Sequence, residues 1–292
     1  MDEPDRTAVP RDQALRGAHV LVTGAASGIG RQVCSDLVLR EGAHVRLLDV
    51  DEAGLRSVAA KLGARARAGS VLSGHGVDLG DRDAVAALAG ALAGTRLDVL
   101  IHVAGIVSVG PFEQTALPVL ERVVDVDLLG PLRLTHALLP LLLASARASL
   151  VLVASAAGLV GGPGLAAYSA AKFGLVGLAQ ALRAELHGRV AVSTVCPTLV
   201  RTGLVDHAQV GRDPASGRDR RAGLDRVLTR HGASPEKVSR AIVRAIVERR
   251  GLVLVNPDAV LLYHLHRLFP RTTEAVVLQG YRWLLRRGVL PG

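Results

Sequence analysis

Cysteine, lysine and aromatic residues are all scarce in this chain of 292 residues. Its two cysteines, Cys34 and Cys196, are too few for a disulfide framework, which favours a reducing compartment and predicts a cytoplasmic protein. Three phenylalanines, three tyrosines and one tryptophan provide no series of stacking rings of the kind that single-strand nucleic-acid binders use. Because 49% of the residues are hydrophobic, we expect a core of alanine, valine and leucine.

The charge pattern and the apolar runs narrow the function class further. The net charge of +9 comes from scattered arginines rather than one basic stripe, so we predict a solvated surface and no nucleic-acid partner. The longest uncharged stretch, 148–171, is divided by glycines and Pro163 into strand-sized pieces, and no segment is predicted to span a membrane. Residues 1–16 are polar and lack the pattern of a signal peptide, and we expect a disordered leader there.

Apolar segments of strand length alternate with longer helical patterns along most of the chain. Strands are predicted at 19–23, 44–49, near 76–79, 97–105, 149–155, 190–197 and 252–256. Helices are predicted at 28–40, 51–62, 82–92, 115–144 and 165–187, and one begins after Ser234. This alternation predicts an α/β fold: a single Rossmann-type domain over 17–256, with a doubly wound parallel sheet of about seven strands. Residues 199–230 are expected to form a substrate lid, and 257–292 a helical C-terminal extension.

A glycine-rich turn, VTGAASGIGRQV, lies between the first strand and the first helix. Gly24 permits a sharp turn, while Gly28 and Gly30 allow close approach of the backbone to a pyrophosphate and of the helix to the sheet. The helix that begins there presents free N–H groups to an anion. This context predicts a dinucleotide site that includes Ser27 and Ile29.

Asp49 ends the second predicted strand, nineteen residues after Gly30. A carboxylate at this position can accept hydrogen bonds from the ribose hydroxyls of the adenosine, and it would repel a 2′-phosphate. Ser27, just before Gly28, is not a basic residue that could offset the repulsion. The sequence therefore favours NAD over NADP as cofactor.

A tyrosine and a lysine four residues apart occur in the stretch LAAYSAAKFG, residues 165–174. On a helix this spacing places Tyr168 and Lys172 on one face. Taken alone, the pair favours a structural interpretation, with a tyrosine at the edge of the core and a solvated lysine.

Together these segments resemble the short-chain dehydrogenase/reductase family from about residue 17 to 205. TGAASGIG at 23–30 is similar to the family's TGxxxGIG turn, and YSAAK is its YxxxK signature. Ser155 lies thirteen residues before Tyr168, which is the usual interval in that family. VDL around Asp78 and CPTLVRT at 196–202 match two further family segments.

The resemblance implies roles for individual residues. Tyr168 would be the general acid and base, Lys172 would lower the pKa of Tyr168 and hold the nicotinamide ribose, and Ser155 would polarise the substrate oxygen. No metal ligand is predicted. The implied cofactor contacts are Gly24, Ser27, Gly28, Ile29, Gly30, Asp49, Asp78, Leu79, Ala104, Gly105, Tyr168, Lys172, Pro197, Val200 and Thr202.

Three positions depart from the family pattern. His102 and Val103 replace two asparagines, and we expect His102 to be a buried structural residue rather than a base. Asp127 stands where the family commonly has an asparagine that holds a proton-relay water; it could keep that water, and it could also pair with Lys172. Thr198 replaces a glycine beside the nicotinamide.

The leading prediction is an NAD-dependent enzyme that interconverts a secondary alcohol and a ketone on a lipophilic small molecule. The alternatives are a net non-redox outcome such as epimerisation, or an idle NAD-binding scaffold. The apolar C-terminal segment 257–292 could cover the substrate pocket, pack on a partner subunit or lie on a membrane surface. By resemblance, a homodimer or homotetramer is expected through the helices near 115–144 and 165–187.

Overall fold

The computed structural model describes residues 14–66, 69–202, 209–210 and 232–286. Most of the predicted leader, 1–16, and most of the predicted lid, 199–230, lie outside these residues. The same holds for 287–292 at the end of the C-terminal extension.

One sheet of seven parallel strands forms the centre of the fold. Its strands are β1 (His19–Thr23), β2 (His44–Asp49), β3 (Val71–Gly76), β4 (Val99–His102), β6 (Ser149–Val153), β7 (Ala191–Cys196) and β9 (Leu252–Leu254). Short β5 (Ser108–Val109) and β8 (Gln209–Val210) pair separately. The spatial order β3-β2-β1-β4-β6-β7-β9 reverses direction between β1 and β4, and ligands of such sheets bind at this point. The predicted doubly wound α/β fold is confirmed.

Helices cover both faces of the sheet. They are α1 (Gly28–Leu39), α2 (Glu52–Gly63), α3 (Arg82–Ala91), α4 (Leu117–Val124), α5 (Gly130–Leu143), α6 (Ala166–Glu185) and α7 (Pro235–Val247). Residues of α1, α2 and α7 share one buried cluster, and residues of α3, α5 and α6 share the other. Side chains alternate between the clusters along each strand: Val20 and Val22 of β1 join the first, and Leu21 joins the second. This two-sided burial explains why the strands are almost wholly apolar.

The predicted helical extension is present as two helices, α8 (Pro257–Leu268) and α9 (Pro270–Arg286). They follow β9, which lies at the edge of the sheet opposite β3. The two helices contact each other, and α8 also reaches the short 3₁₀ turn Ala156–Gly158.

Most elements differ from their predicted bounds by one or more residues, and three of these differences are informative. The third strand ends at Gly76, so Asp78 lies in the loop after it. The fourth ends at His102, because the next two backbone N–H groups donate to the Thr23 hydroxyl instead of continuing the sheet ladder. The predicted helix 115–144 begins at Leu117 and contains a π-helical segment, Asp125–Leu129. Such segments are frequent at functional sites.

The continuous helical stretch Leu117–Leu143 is the one described segment whose length and hydropathy would suit a membrane span. Leu134, Leu138 and Leu142 within it are buried in the core beside the sheet. Because a core helix satisfies the same criteria, this is weak evidence for a span.

Candidate active site

A single cavity of about 790 Å³ lies at the carboxyl ends of the strands, across the point where the strand order reverses. Every predicted site residue lines it. These residues are Gly24, Ser27, Gly28, Ile29, Gly30, Asp49, Asp78, Leu79, Ala104, Gly105, Asp127, Ser155, Tyr168, Lys172, Pro197, Val200 and Thr202. The structure therefore brings together residues that are up to 178 positions apart, from Gly24 to Thr202 (202 − 24 = 178).

The glycine turn forms the floor of one end of the cavity. Gly24 has φ +69°, and a Cβ atom there would lie 2.8 Å from the Cα of Ala104. A Cβ at Gly30 would lie 2.0 Å from the carbonyl oxygen of Gly24, so α1 can begin here only with glycine. Ser27 is the N-cap of α1, but its side chain makes no capping hydrogen bond. The turn thus leaves the start of α1 accessible to an anion.

Asp49 ends β2 at the rim of this turn. Its Oδ2 accepts a hydrogen bond from the backbone N–H of Ala26 at 2.9 Å, and its Oδ1 accepts one from Asp51 at 3.0 Å. A carboxylate has about four lone-pair sites, so both oxygens keep acceptor capacity. These two bonds fix the orientation of the Asp49 carboxylate in the cavity wall.

Asp78 is paired with an arginine that the sequence did not single out. Nη2 of Arg122, on α4, lies 2.7 Å from each carboxylate oxygen of Asp78. The N–H of Gly80 donates to Oδ1 at 2.8 Å. Because Arg122 also lines the cavity, the pair connects the loop after β3 to α4. It forms a charged wall of the dinucleotide end.

Thr23 organises the end of β4. Its buried hydroxyl accepts hydrogen bonds from the N–H groups of Val103 and Ala104, each at 3.1 Å. These bonds connect the ends of the adjacent strands β1 and β4. Gly105 follows, and a Cβ there would lie 2.9 Å from Oδ2 of Asp127 and 3.2 Å from Nζ of Lys172.

Tyr168 and Lys172 lie on the first turns of α6 and face Ser155, which follows β6. Nζ of Lys172 lies 5.5 Å from the centre of the Tyr168 ring and 3.4 Å from the carbonyl oxygen of Val153, to which it donates. Ser155 begins the short turn Ala156–Gly158, whose Ala157 N–H donates to the serine hydroxyl. The turn can approach α6 closely, because a Cβ at Gly158 would lie 2.5 Å from the Lys172 carbonyl oxygen.

Asp127 pairs with Lys172 in the interior. Oδ2 of Asp127 lies 3.0 Å from Nζ of Lys172, and Oδ1 accepts a hydrogen bond from the N–H of Ile106 at 2.7 Å. Oδ2 makes the ion pair, but it has no hydrogen bond of ordinary geometry to any residue that the structure describes. Burial lowers the pKa of Lys172, but the nearby Asp127 and Tyr168 outweigh it and raise the pKa, which keeps the lysine charged.

The pKa of Tyr168 differs from the sequence-based expectation. Burial raises it, and the carboxylate of Asp127 acts in the same direction. Lys172 and hydrogen bonding from Ser155 lower it, as expected for the lysine, but they do not overcome the effect of burial. In the cofactor-free protein the net shift is therefore upward, and Tyr168 carries its proton at neutral pH.

His102 is a core residue, as the sequence predicts. It is fully buried, and Nε2 lies 2.9 Å from the hydroxyl of Thr135 on α5. Burial, followed by the charge of Lys172, lowers its pKa to about 3. His102 does not line the cavity, although Val103 beside it does.

The segment after β7 closes the cavity from the other side. The carbonyl oxygen of Pro197 accepts a hydrogen bond from the N–H of Ala156, which joins this segment to the catalytic turn. Thr198 accepts a hydrogen bond from Asn256 at 2.8 Å, so its side chain has a structural partner. A Cβ at Gly28 would lie 3.1 Å from the Thr202 methyl group, which places Thr202 against the glycine turn.

The end of the cavity beyond Tyr168 is apolar. Its lining there includes Val107, Val109, Val160, Leu165 and Leu199. Leu262 of α8 and Val277 of α9 also line the cavity, so the C-terminal helices contribute to the site. This position agrees with the expectation that residues 257–292 cover the substrate pocket.

Arg122 and Asn256 are functional candidates that the sequence patterns missed. Thr23 belongs to the TGAASGIG turn, but its role at the end of β4 was not predicted. Arg122 and Asn256 meet their partners across 44 and 58 residues of chain, and no local pattern signals such contacts.

Comparisons with known proteins agree with the geometry. The chain matches the family model for short chain dehydrogenases over residues 18–212. It is 32% identical over 264 residues to the protein named "Probable oxidoreductase EphD" of Mycobacterium tuberculosis. The match covers 88% of this chain and 44% of EphD, so this chain spans less than half the length of that relative.

Solved structures show the same fold with two forms of cofactor. A short chain dehydrogenase/reductase from Burkholderia phymatum in complex with NAD has a TM-score of 0.76 and 28% identity, with coverage of 91% of this chain and 96% of that one. A chain from Escherichia coli CFT073 complexed with NADPH has a TM-score of 0.71 and 28% identity, with coverage of 85% and 100%. By sequence and by fold, this chain belongs to the short chain dehydrogenase family.

Proposed function

We propose that this protein is an NAD-dependent oxidoreductase that interconverts a secondary alcohol and a ketone on a lipophilic small molecule. The observation that carries the proposal is the convergence of Ser155, Tyr168 and Lys172 with the glycine turn in one cavity. A purely structural tyrosine–lysine pair would not require a serine and a phosphate-binding turn to open into the same space.

The residues of the dinucleotide end fit a nicotinamide cofactor. A Cβ at Gly24, Gly28 or Gly30 would crowd neighbouring protein atoms, so the tight shape of the turn depends on these glycines. The Ser27 side chain is not used for capping, which leaves the start of α1 open to a cofactor phosphate. Asp49 at the rim supports NAD, because a 2′-phosphate would meet its negative charge. A bound nicotinamide would supply or accept the hydride.

Proton transfer is assigned to the phenol of Tyr168. The raised pKa keeps the proton on Oη at neutral pH, so Tyr168 can protonate the oxygen of a ketone. For alcohol oxidation Tyr168 must first lose that proton, which higher pH favours. The Ser155 hydroxyl would donate a hydrogen bond to the same substrate oxygen and stabilise its developing charge.

Lys172 supports the phenolate form through its positive charge, and Asp127 moderates that effect. We propose that Asp127 takes the place of the family's asparagine and that its ion pair positions Lys172 for proton exchange with solvent.

The substrate is proposed to be lipophilic because of the apolar end of the cavity. Leu165, Leu199, Leu262 and Val277 present hydrocarbon there, and the aliphatic part of a substrate would displace water from it. The reacting carbon would lie beside Tyr168, where the polar groups converge.

We further propose that the protein is a cytoplasmic homodimer or homotetramer. Cys34 and Cys196 are buried free thiols, which supports a reducing compartment. Leu132 and Leu143 are exposed on α5, one of the helices expected to pair between subunits.

The first test is a fluorescence titration of the purified protein with NADH and NADPH. Tighter binding of NADH supports the proposal, whereas preference for NADPH overturns the assignment of Asp49. Binding of neither would favour the idle scaffold. Secondary alcohols of increasing chain length would then be screened with NAD, and turnover should improve with apolar length.

Tyr168→Phe tests the catalytic assignment. We expect turnover to fall at least about a hundredfold while NADH affinity is retained, because the variant loses only the hydroxyl. Tyr281→Phe is the matched control, since Tyr281 does not line the cavity. Full activity in Tyr168→Phe would refute the mechanism, and equal loss in both variants would indicate a general structural effect.

A further inference from the structure

Exposed apolar residues are concentrated on the two C-terminal helices. Leu261, Leu265 and Leu268 lie on α8 at spacing i, i+4 and i+7, which places them on one side of the helix. Their exposed fractions are 61%, 42% and 70%. An isolated exposed leucine is ordinary, but three on one helical stripe form a patch.

A second apolar stripe lies on α9. Phe269, just before the helix, and Val276 and Trp283 within it are seven residues apart, which is close to two helical turns. All three are more than half exposed. The adjoining side of the hairpin faces inward: Thr273 is buried, and Leu262 and Val277 line the active-site cavity.

Positive charge accompanies these stripes. Residues 257–286 contain four arginines but only Asp258 and Glu274 as acidic residues. The arginines are Arg267, Arg271, Arg282 and Arg286. Arg282 is adjacent to Trp283, and tryptophan beside arginine is typical of helices that lie in a membrane interface.

We propose that the outer face of α8 and α9 binds the surface of an anionic lipid membrane. The helices would lie in the interfacial plane, with the apolar stripes in the acyl boundary and the arginines at the headgroups. A second copy of this chain is the competing occupant of this face, and light scattering of the outer-face variant distinguishes it from a membrane.

The position of the hairpin connects this surface to the active site. A second cavity of about 400 Å³ lies between α9 and the start of α6, with Phe173, His266 and Leu278 in its wall. It shares Val160 and Val277 with the main cavity. A lipophilic substrate dissolved in the membrane could therefore reach the catalytic end beside the hairpin. This delivery role rests on the proposed function, whereas membrane binding itself does not.

The test is sedimentation of the full chain with vesicles, without cofactor or substrate. One set of vesicles is phosphatidylcholine and the other is phosphatidylcholine mixed with phosphatidylglycerol. We expect the protein to sediment with the anionic vesicles and much less with the neutral ones, and high salt should weaken the binding. NADH binding is measured on the same preparation, so failure of the cofactor site and failure of the membrane site are distinguished.

Variants on the outer face separate membrane binding from other causes. The triple change Leu261→Gln, Leu265→Gln and Val276→Gln should reduce the bound fraction at least about tenfold. The control change Leu72→Gln removes an exposed leucine from β3 and should leave binding unchanged.

Two double variants test the role of the arginines on the hairpin. Arg282→Gln with Arg286→Gln should weaken binding to anionic vesicles, whereas Arg56→Gln with Arg65→Gln removes the same net charge from the α2 region and should have little effect. Equal effects of both pairs would show that net charge alone is responsible, which overturns the proposal. Absence of vesicle binding in the unaltered protein overturns it too. The proposal is also overturned if the triple variant binds vesicles normally but no longer forms a dimer, as measured by light scattering.

Discussion

The Nζ of Lys172 lies 3.0 Å from Oδ2 of Asp127, and their side chains are 4% and 0% exposed. The lysine of the YxxxK signature is thus paired with a buried carboxylate. The family commonly has an asparagine at the position of that carboxylate. Because the carboxylate also raises the pKa of Tyr168, this one residue affects both Tyr168 and Lys172. The ion pair is therefore a determinant of the pH range in which the site would work.

Replacing Asp127 by asparagine should move the pH–rate profile to lower pH. The change removes a negative charge that raises the pKa of Tyr168, so the phenolate forms more readily. The amide oxygen can still accept the hydrogen bond from Ile106. Alcohol oxidation should begin to rise at lower pH than in the unaltered enzyme, as measured by initial rates across the neutral to alkaline range. Asp125→Asn, which alters a nearby carboxylate paired with Arg133, is the control, and an unchanged profile for Asp127→Asn would contradict the assignment.

Replacing Asp49 by asparagine should reduce the preference for NADH over NADPH. The amide cannot accept charge-assisted bonds from two ribose hydroxyls, and it no longer repels a phosphate. We expect the ratio of dissociation constants to change at least about tenfold, since a hydrogen bond to a charged group contributes roughly 1.5–3 kcal/mol. Fluorescence titration measures both constants. Asp51→Asn tests whether any nearby charge has the same effect, and an equal response of the two variants would remove the special role of Asp49.

Replacing Arg122 by glutamine should weaken NADH binding about fivefold. The pair with Asp78 is partly exposed, and such pairs contribute no more than about 1 kcal/mol. Without Arg122 the Asp78 carboxylate loses its partner at the end of the cavity proposed to hold the adenosine. Reduced nicotinamide mononucleotide lacks the adenosine, so its binding should not change. Arg133→Gln is the control on the neighbouring helix. Equal weakening of both ligands would show that Arg122 acts on the whole fold instead.

Stability should decrease at acid pH because of His102. Its pKa is about 3 in the folded protein, against 6.5 for an unperturbed histidine. Between these values the unfolded chain binds a proton that the folded chain does not, so the free energy of unfolding falls as pH decreases below 6.5. The slope from this group approaches about 1.4 kcal/mol per pH unit. Urea unfolding of His102→Asn at several pH values should show a correspondingly smaller dependence.

The exposed His187 provides the comparison for that measurement. His187→Gln lies on the surface after α6 and should retain the slope of the unaltered protein. If the unaltered protein and His102→Asn have the same slope, then His102 either titrates normally or is not buried in solution.

Local patterns were sufficient to predict most of the fold. The short apolar runs of the strands, the 3.6-residue period in the helices and the glycine turn after β1 all act within about a dozen residues, so they are readable from sequence. The bounds of β3 and β4 were less predictable. The end of β4 depends on the hydroxyl of Thr23, which is 80 residues from Val103.

The sequence by itself determined the family pattern, the glycine cradle and the spacing of Tyr168 and Lys172, because each depends on neighbouring residues along one element. Only the tertiary structure decided the charge state around that pair. Asp127 lies 45 residues from Lys172 (172 − 127 = 45), and burial of both groups sets their pKa values. Tertiary structure likewise decided which side of α8 and α9 faces the cavity, because helical periodicity defines the faces of a helix but packing selects the one that is buried.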